Sequence, residues 1–180
     1  VDIQQGYVVV LQHPVTTEYD CSRQHIEETL YGVKAVNLPT LWFWPNVDAG
    51  SDGTSKGIRA FREKENPKNW HFFKNMEASD FLKLLCNSKA IVGNSSVAIR
   101  ECSFLGVPAV NVGTRQEGRE RGANVIDVAY DRQEIQGALR EHIRVGQRET
   151  SKIYGDGNAG ERIADLLSRL EPCFEKRLTY

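Results

Sequence analysis

Short apolar runs alternate with helix-spaced segments along the whole chain. Tyr7-Val8-Val9-Val10-Leu11 is continuous and β-branched, the pattern of a strand buried on both faces. Further strands are predicted at Thr40–Trp44, ended by Pro45, at Trp70–Phe73, at Ala90–Val92, at Pro108–Val112 and at Asn124–Ile126. Between them the apolar spacing changes to three and four. A helix is expected from about Asp20 to Tyr31, with Gly32 as its stop. Others are expected at Ser55–Lys64, Ala78–Asn87, Val97–Leu105, Arg132–Val145 and Ala159–Leu170. This βα alternation with short connections predicts an α/β fold, a Rossmann-like parallel sheet with helices on both faces.

Composition narrows the class. The chain has 180 residues, 40% hydrophobic and 26% charged, which suits one globular domain. The formal net charge is -1, and nothing in it points to a nucleic-acid surface. No apolar run reaches the roughly 20 residues that cross a bilayer, so no membrane partner is expected. The first residues, Val1-Asp2-Ile3-Gln4-Gln5, lack the basic start of a signal peptide. Cys21, Cys86, Cys102 and Cys173 form no CxxC pair, which argues against a zinc site or disulfide framework and fits a cytoplasmic protein. The first strand begins almost at once, so the chain is expected to be part of something longer.

In a parallel sheet, ligands bind at the carboxyl ends of the strands. The chemistry should therefore follow each strand. Gly93-Asn94-Ser95-Ser96 turns a strand into a helix, and the free N–H groups there, with two hydroxyls, could hold a diphosphate; equally, Ser95 or Ser96 could be a plain helix cap. The segment is neither a Walker A loop nor GxGxxG, so no dinucleotide cofactor is implied. Glu101, six residues after Ser95, could accept two ribose hydroxyls or pair with Arg100, Arg115 or Arg119. Arg115 is the member of the charged loop nearest a strand end, and its guanidinium could reach a phosphate or a uracil edge. Arg119 and Arg121 read better as solvated and self-paired. His13 ends the first strand, where an imidazole can donate to phosphate or move a proton near neutral pH. His25, His71 and His142 read as structural. Thr16, Thr17 and Glu18 could support the site or cap the next segment. No metal-ligand spacing and no Gly-x-Ser-x-Gly elbow occurs.

Taken in order, these strand ends resemble a known family. Gln12-His13-Pro14-Val15-Thr16-Thr17-Glu18, Trp44-Pro45-Asn46-Val47-Asp48-Ala49-Gly50-Ser51, Gly93-Asn94-Ser95-Ser96 with Arg100-Glu101, Gly113-Thr114-Arg115-Gln116-Glu117-Gly118-Arg119-Glu120 and Ile153-Tyr154-Gly155-Asp156-Gly157-Asn158-Ala159 are similar to UDP-N-acetylglucosamine 2-epimerases. The His13–Glu18 run resembles the hydrolysing branch, which serves sialic and related nonulosonic acid synthesis.

The resemblance implies a two-domain, glycosyltransferase-B-like enzyme of which residues 1–180 are one UDP-binding domain, the C-terminal half. It implies UDP-N-acetylglucosamine and UDP as ligands, no cofactor, and a homo-oligomer at full length. It assigns His13 to catalysis and Asn46, Ser95, Ser96, Glu101 and Arg115 to UDP. The carboxylates that move the C2 proton would lie largely in the other half. A UDP-diacetamido sugar is the alternative substrate, and a nucleotide-binding module without turnover is the alternative class.

Overall fold

The structure is a computed structural model and describes residues 2–171. Cys173 and the segment 172–180 lie outside the described residues. The strands are β1 (Val8–Leu11), β2 (Thr40–Phe43), β3 (Trp70–Phe73), β4 (Ala90–Gly93), β5 (Ala109–Val112) and β6 (Val125–Val128). The helices are α1 (Ser22–Lys34), α2 (Ser51–Glu65), α3 (Ala78–Cys86), α4 (Ser96–Ile99), α5 (Glu101–Leu105), α6 (Arg132–Val145) and α7 (Ala159–Arg169). A 3-10 turn over Thr16–Cys21 precedes α1.

The six strands form one sheet in the order β3-β2-β1-β4-β5-β6, with every pairing parallel. Alternate residues supply two cores. Val8, Val10, Trp42, Val92 and Val110 pack with Ile26 and Leu30 of α1, Ile58 of α2 and Leu139 of α6. Val9, Leu41, Phe43, Ile91 and Ala109 pack with Leu85 of α3, Ala98 of α4 and Cys102 of α5. The expected doubly covered parallel sheet is therefore present.

Two expectations need correction. Gly32 does not stop α1, which runs on to Lys34. Gly32 is buried, and a Cβ there would stand 2.9 Å from Ile135 Cγ2, so the glycine permits α1 and α6 to approach. The single helix expected over Val97–Leu105 is two short helices that meet at Arg100, which stays in the right-handed region but off ideal helical values at φ -90° and ψ -72°.

β1 lies between β2 and β4, and the chain reverses its direction of travel across the sheet there. Leu11 pairs with both Phe43 and Gly93. This is the switch point at which parallel sheets open a crevice. Gly93 has φ +134°, and a Cβ would sit 2.1 Å from the Leu11 carbonyl oxygen, so only glycine lets β4 end this close to β1.

Candidate functional site

His13 stands two residues beyond β1, buried at 8% exposure. Its main chain is gripped by a side chain from across the crevice. The His13 N–H donates to Asn94 Oδ1 at 2.7 Å, and Asn94 Nδ2 donates to the His13 carbonyl at 2.8 Å. The ring is set from a third strand end, where the Asn46 N–H donates to His13 Nδ1 at 3.2 Å. An accepting Nδ1 places the hydrogen of the neutral ring on Nε2. Burial, followed by the nearby Arg115 charge, lowers the His13 pKa to about 4, while Asp48 pulls the other way. The ring is therefore neutral near pH 7, a hydrogen-bond donor through Nε2–H rather than a group half-protonated there.

Arg115 follows β5 by three residues. Its Nη1 donates to the Asn94 carbonyl at 3.1 Å, and Gln116 Nε2 donates to the same oxygen at 2.7 Å. His13, Asn46 and Arg115 are thus brought together, although their sequence positions are far apart. Arg121 has a different duty. It forms an ion pair with Asp127 of β6 at 3.0 Å and donates to the Gln116 and Arg119 carbonyls, a structural role as expected but with its charged partner outside the loop.

Ser95 caps α4. Its hydroxyl accepts from the Val97 N–H at 3.4 Å, and the residue is buried. The capping reading holds for this hydroxyl. Ser96, the first residue of α4, is half-buried. Because α4 spans only Ser96–Ile99, any anion there would be held by local N–H groups, with little dipole summed behind them.

Glu101 begins α5, and its Oε2 is buried without a hydrogen-bond partner. Among the described residues, no ion pair joins it to Arg100, Arg115 or Arg119. A buried carboxylate oxygen left open is costly and suits a ligand that donates hydrogen bonds.

Three cavities are lined by candidate site residues. One of about 320 Å³ is lined by His13, Trp44, Asn46, Lys74, Asn75 and Phe81. Glu101 lines a second, of about 370 Å³, with Leu82, Phe104 and Tyr154. Phe81 of α3 lines the first and its neighbour Leu82 lines the second. The third, of about 470 Å³, is polar and is lined by Thr16, Thr17, Glu18, Asp48, Thr114 and Arg115. The expected site residues are therefore spread over adjoining spaces, and Ser95 and Ser96 line none of these three. Among the described residues no group of three His, Cys, Asp or Glu side chains could hold a metal ion.

Residues 2–168 match the family model described as UDP-N-acetylglucosamine 2-epimerase. The chain belongs to the UDP-N-acetylglucosamine 2-epimerase family. A UDP-N,N'-diacetylbacillosamine 2-epimerase (hydrolyzing) from Legionella pneumophila is 32% identical over 169 residues, covering 94% of this chain and 44% of that protein. A UDP-N-acetylglucosamine 2-epimerase from Neisseria meningitidis is 28% identical and covers 93% and 44%. This epimerase-family chain thus spans less than half the length of the curated relatives it matches.

Solved structures agree in fold. The UDP-GlcNAc 2-epimerase of Methanocaldococcus jannaschii superposes with a TM-score of 0.71 at 18% identity, covering 93% of this chain and 47% of that one. The Escherichia coli heptosyltransferase WaaC with ADP superposes at 0.52 and 14% identity, covering 78% and 44%. In this epimerase-family chain nothing in the sequence singles out Asn94 or Gln116 individually. Asn94 was legible as a member of the Gly93–Ser96 turn, but its reach to His13 was not. Among the described residues no helix is long and apolar enough to cross a membrane.

Proposed function

We propose that the chain is the UDP-binding, C-terminal half of a hydrolysing UDP-N-acetylglucosamine 2-epimerase. The observation that carries this is the common anchoring on Asn94, at the β1–β4 crevice, of His13, whose Nδ1 accepts from Asn46 and so leaves the ring hydrogen on Nε2, and of the Arg115 guanidinium. Two such donors suit a diphosphate that gains charge as it leaves. Ser96, beside the Ser95 cap, adds local N–H donors, Asn46 lines the cleft, and the open Oε2 of Glu101 accepts the ribose hydroxyls.

In this reading the C2 proton and UDP are eliminated to give a glycal-like intermediate. Water then adds, and the sugar leaves as N-acetylmannosamine with C2 inverted. His13 and Arg115 assist departure of UDP, while carboxylates from the rest of the enzyme move the C2 proton. The 180 residues alone bind UDP and do not turn over. The full-length enzyme is a cytoplasmic homo-oligomer that feeds nonulosonic acid synthesis.

The Legionella pneumophila relative supports a second reading, in which the sugar is a UDP-2,4-diacetamido-6-deoxy hexose. The nucleotide contacts would be the same. The test is to incubate the full-length protein with each UDP-sugar and follow UDP and free sugar by NMR. Free N-acetylmannosamine with UDP supports the first reading, and turnover of the diacetamido sugar alone supports the second. An epimerised UDP-sugar without free sugar contradicts hydrolysis in both.

A further inference from the structure

Four hydrogen bonds converge on Asn94. Its side-chain amide both accepts from and donates to the main chain of His13, at 2.7 and 2.8 Å. Its carbonyl receives Arg115 Nη1 at 3.1 Å and Gln116 Nε2 at 2.7 Å. Asn94 itself is fully buried and carries no charge, so it has no access to a ligand of its own.

An amide that satisfies one neighbour's N–H and C=O together mimics a strand pairing, which fixes that neighbour in translation and rotation. The ring of His13 inherits this, because its Nδ1 must meet the Asn46 N–H for the hydrogen to stay on Nε2. Arg115 is held by the main chain of the same asparagine, its Nη1 donating to the carbonyl of the Asn94 peptide. Gln116 braces that peptide, and Arg121 Nη2 in turn donates to the Gln116 carbonyl at 3.0 Å.

We infer that Asn94 is a positioning residue, holding the His13 ring and the Arg115 guanidinium in fixed register as one two-donor unit for an anionic leaving group. The inference rests on the diphosphate role proposed for His13 and Arg115. Asparagine is required chemically. Aspartate keeps the acceptor but loses the donor to the His13 carbonyl, and alanine loses both. Displacing catalytic or binding groups by even 1 Å costs on the order of 100-fold in favourable cases.

The test uses the 180-residue chain with Asn94→Ala, Asn94→Asp, Gln116→Ala and, separately, His13→Ala. Folding of each is checked by its methyl NMR spectrum. The tautomer of His13 is read from the nitrogen-15 shifts of its two ring nitrogens without ligand, and UDP affinity by calorimetry. We expect the native chain to hold the Nε2–H tautomer. Asn94→Ala and Asn94→Asp should lose the tautomer preference and bind UDP roughly tenfold more weakly. Gln116→Ala, which leaves the amide clamp intact, should lose less of both. A loss of folding in Asn94→Ala alone leaves Asn94→Asp and Gln116→Ala to decide.

Unchanged ring shifts in the folded Asn94 variants would overturn the positioning role, whatever their UDP affinity. His13→Ala that binds UDP as tightly as the native chain would instead overturn the diphosphate role of His13, with the tautomer data still deciding what Asn94 does.

Discussion

The Thr114 hydroxyl donates to Glu18 Oε1 at 2.5 Å, joining segments 96 residues apart. It ties the turn after β1 to the loop after β5, one residue before Arg115. Glu18 Oε2 lies 3.6 Å from His25 Nδ1, and the His25 ring stacks on Tyr130 with centroids 3.6 Å apart. Burial, with Glu18 adding to it, raises the Tyr130 phenol to about 12. Thr114→Ala removes the donor and should cost about 1 kcal/mol, while Thr114→Ser should restore most of it. Urea unfolding checks this, and equal midpoints for the native chain and Thr114→Ala would show that the tie contributes nothing.

Acid should weaken the fold before it titrates most carboxylates. Burial lowers the pKa of His13, His25 and His142, that of His13 from 6.5 to about 4. A lowered folded-state value means the unfolded chain takes up the proton first. The stability is therefore fully present above pH 6.5 and is lost as pH falls toward 4. For His13 alone the loss by pH 5 is about 2 kcal/mol. Urea unfolding at pH 7.5, 6 and 5 measures it, and His13→Asn should flatten the decline. A stability that does not change from pH 7.5 to 5 would contradict the burial of these rings.

The fold was legible where burial is local. The Val8–Val10 run and the alternation of Ile91 with Val92 between two cores are set by residue type and period. What escaped depends on neighbours distant in sequence. Gly32 reads as a stop until Ile135 of α6 is seen against it. The break at Arg100 has no glycine or proline to announce it. His13, Asn46 and Arg115 are each visible as strand-end residues, but Asn94, which links His13 to Arg115, reads in sequence as one more turn residue. The spacing of Glu101 from Ser95 is visible in the sequence, whereas its open Oε2 is visible only in the fold.

Gly93 and Gly118 separate steric need from backbone preference. A Cβ at Gly93 would meet the Leu11 carbonyl at 2.1 Å, whereas at Gly118, with φ +75°, it would meet nothing within 4 Å. Gly118→Ala should cost about 1 kcal/mol for its backbone alone. Gly93→Ala should cost at least about 3 kcal/mol or prevent folding, because β1 or β4 must move. Thermal unfolding of both variants checks this, and similar midpoints would contradict the close approach of β4 to β1.

Glu101 should distinguish ligands by their sugar hydroxyls. If its open oxygen accepts them, UDP will bind roughly tenfold more tightly than 2′,3′-dideoxy-UDP. In Glu101→Gln that difference should shrink severalfold, because a charged acceptor has become a neutral one. Calorimetry with both ligands and both proteins closes the cycle. A difference that survives the substitution intact would assign the ribose contact elsewhere.

The proposed UDP site lies at the β1–β4 crevice. Titration of UDP into the 180-residue chain, followed through its backbone amide resonances, tests it most directly. Saturable one-to-one binding is expected, with shifts at His13, Asn46, Ser95, Ser96, Glu101 and Arg115, and weaker binding in Arg115→Ala and Glu101→Ala. No saturation at millimolar UDP, shifts confined to other parts of the sheet, or binding indifferent to both substitutions would contradict it.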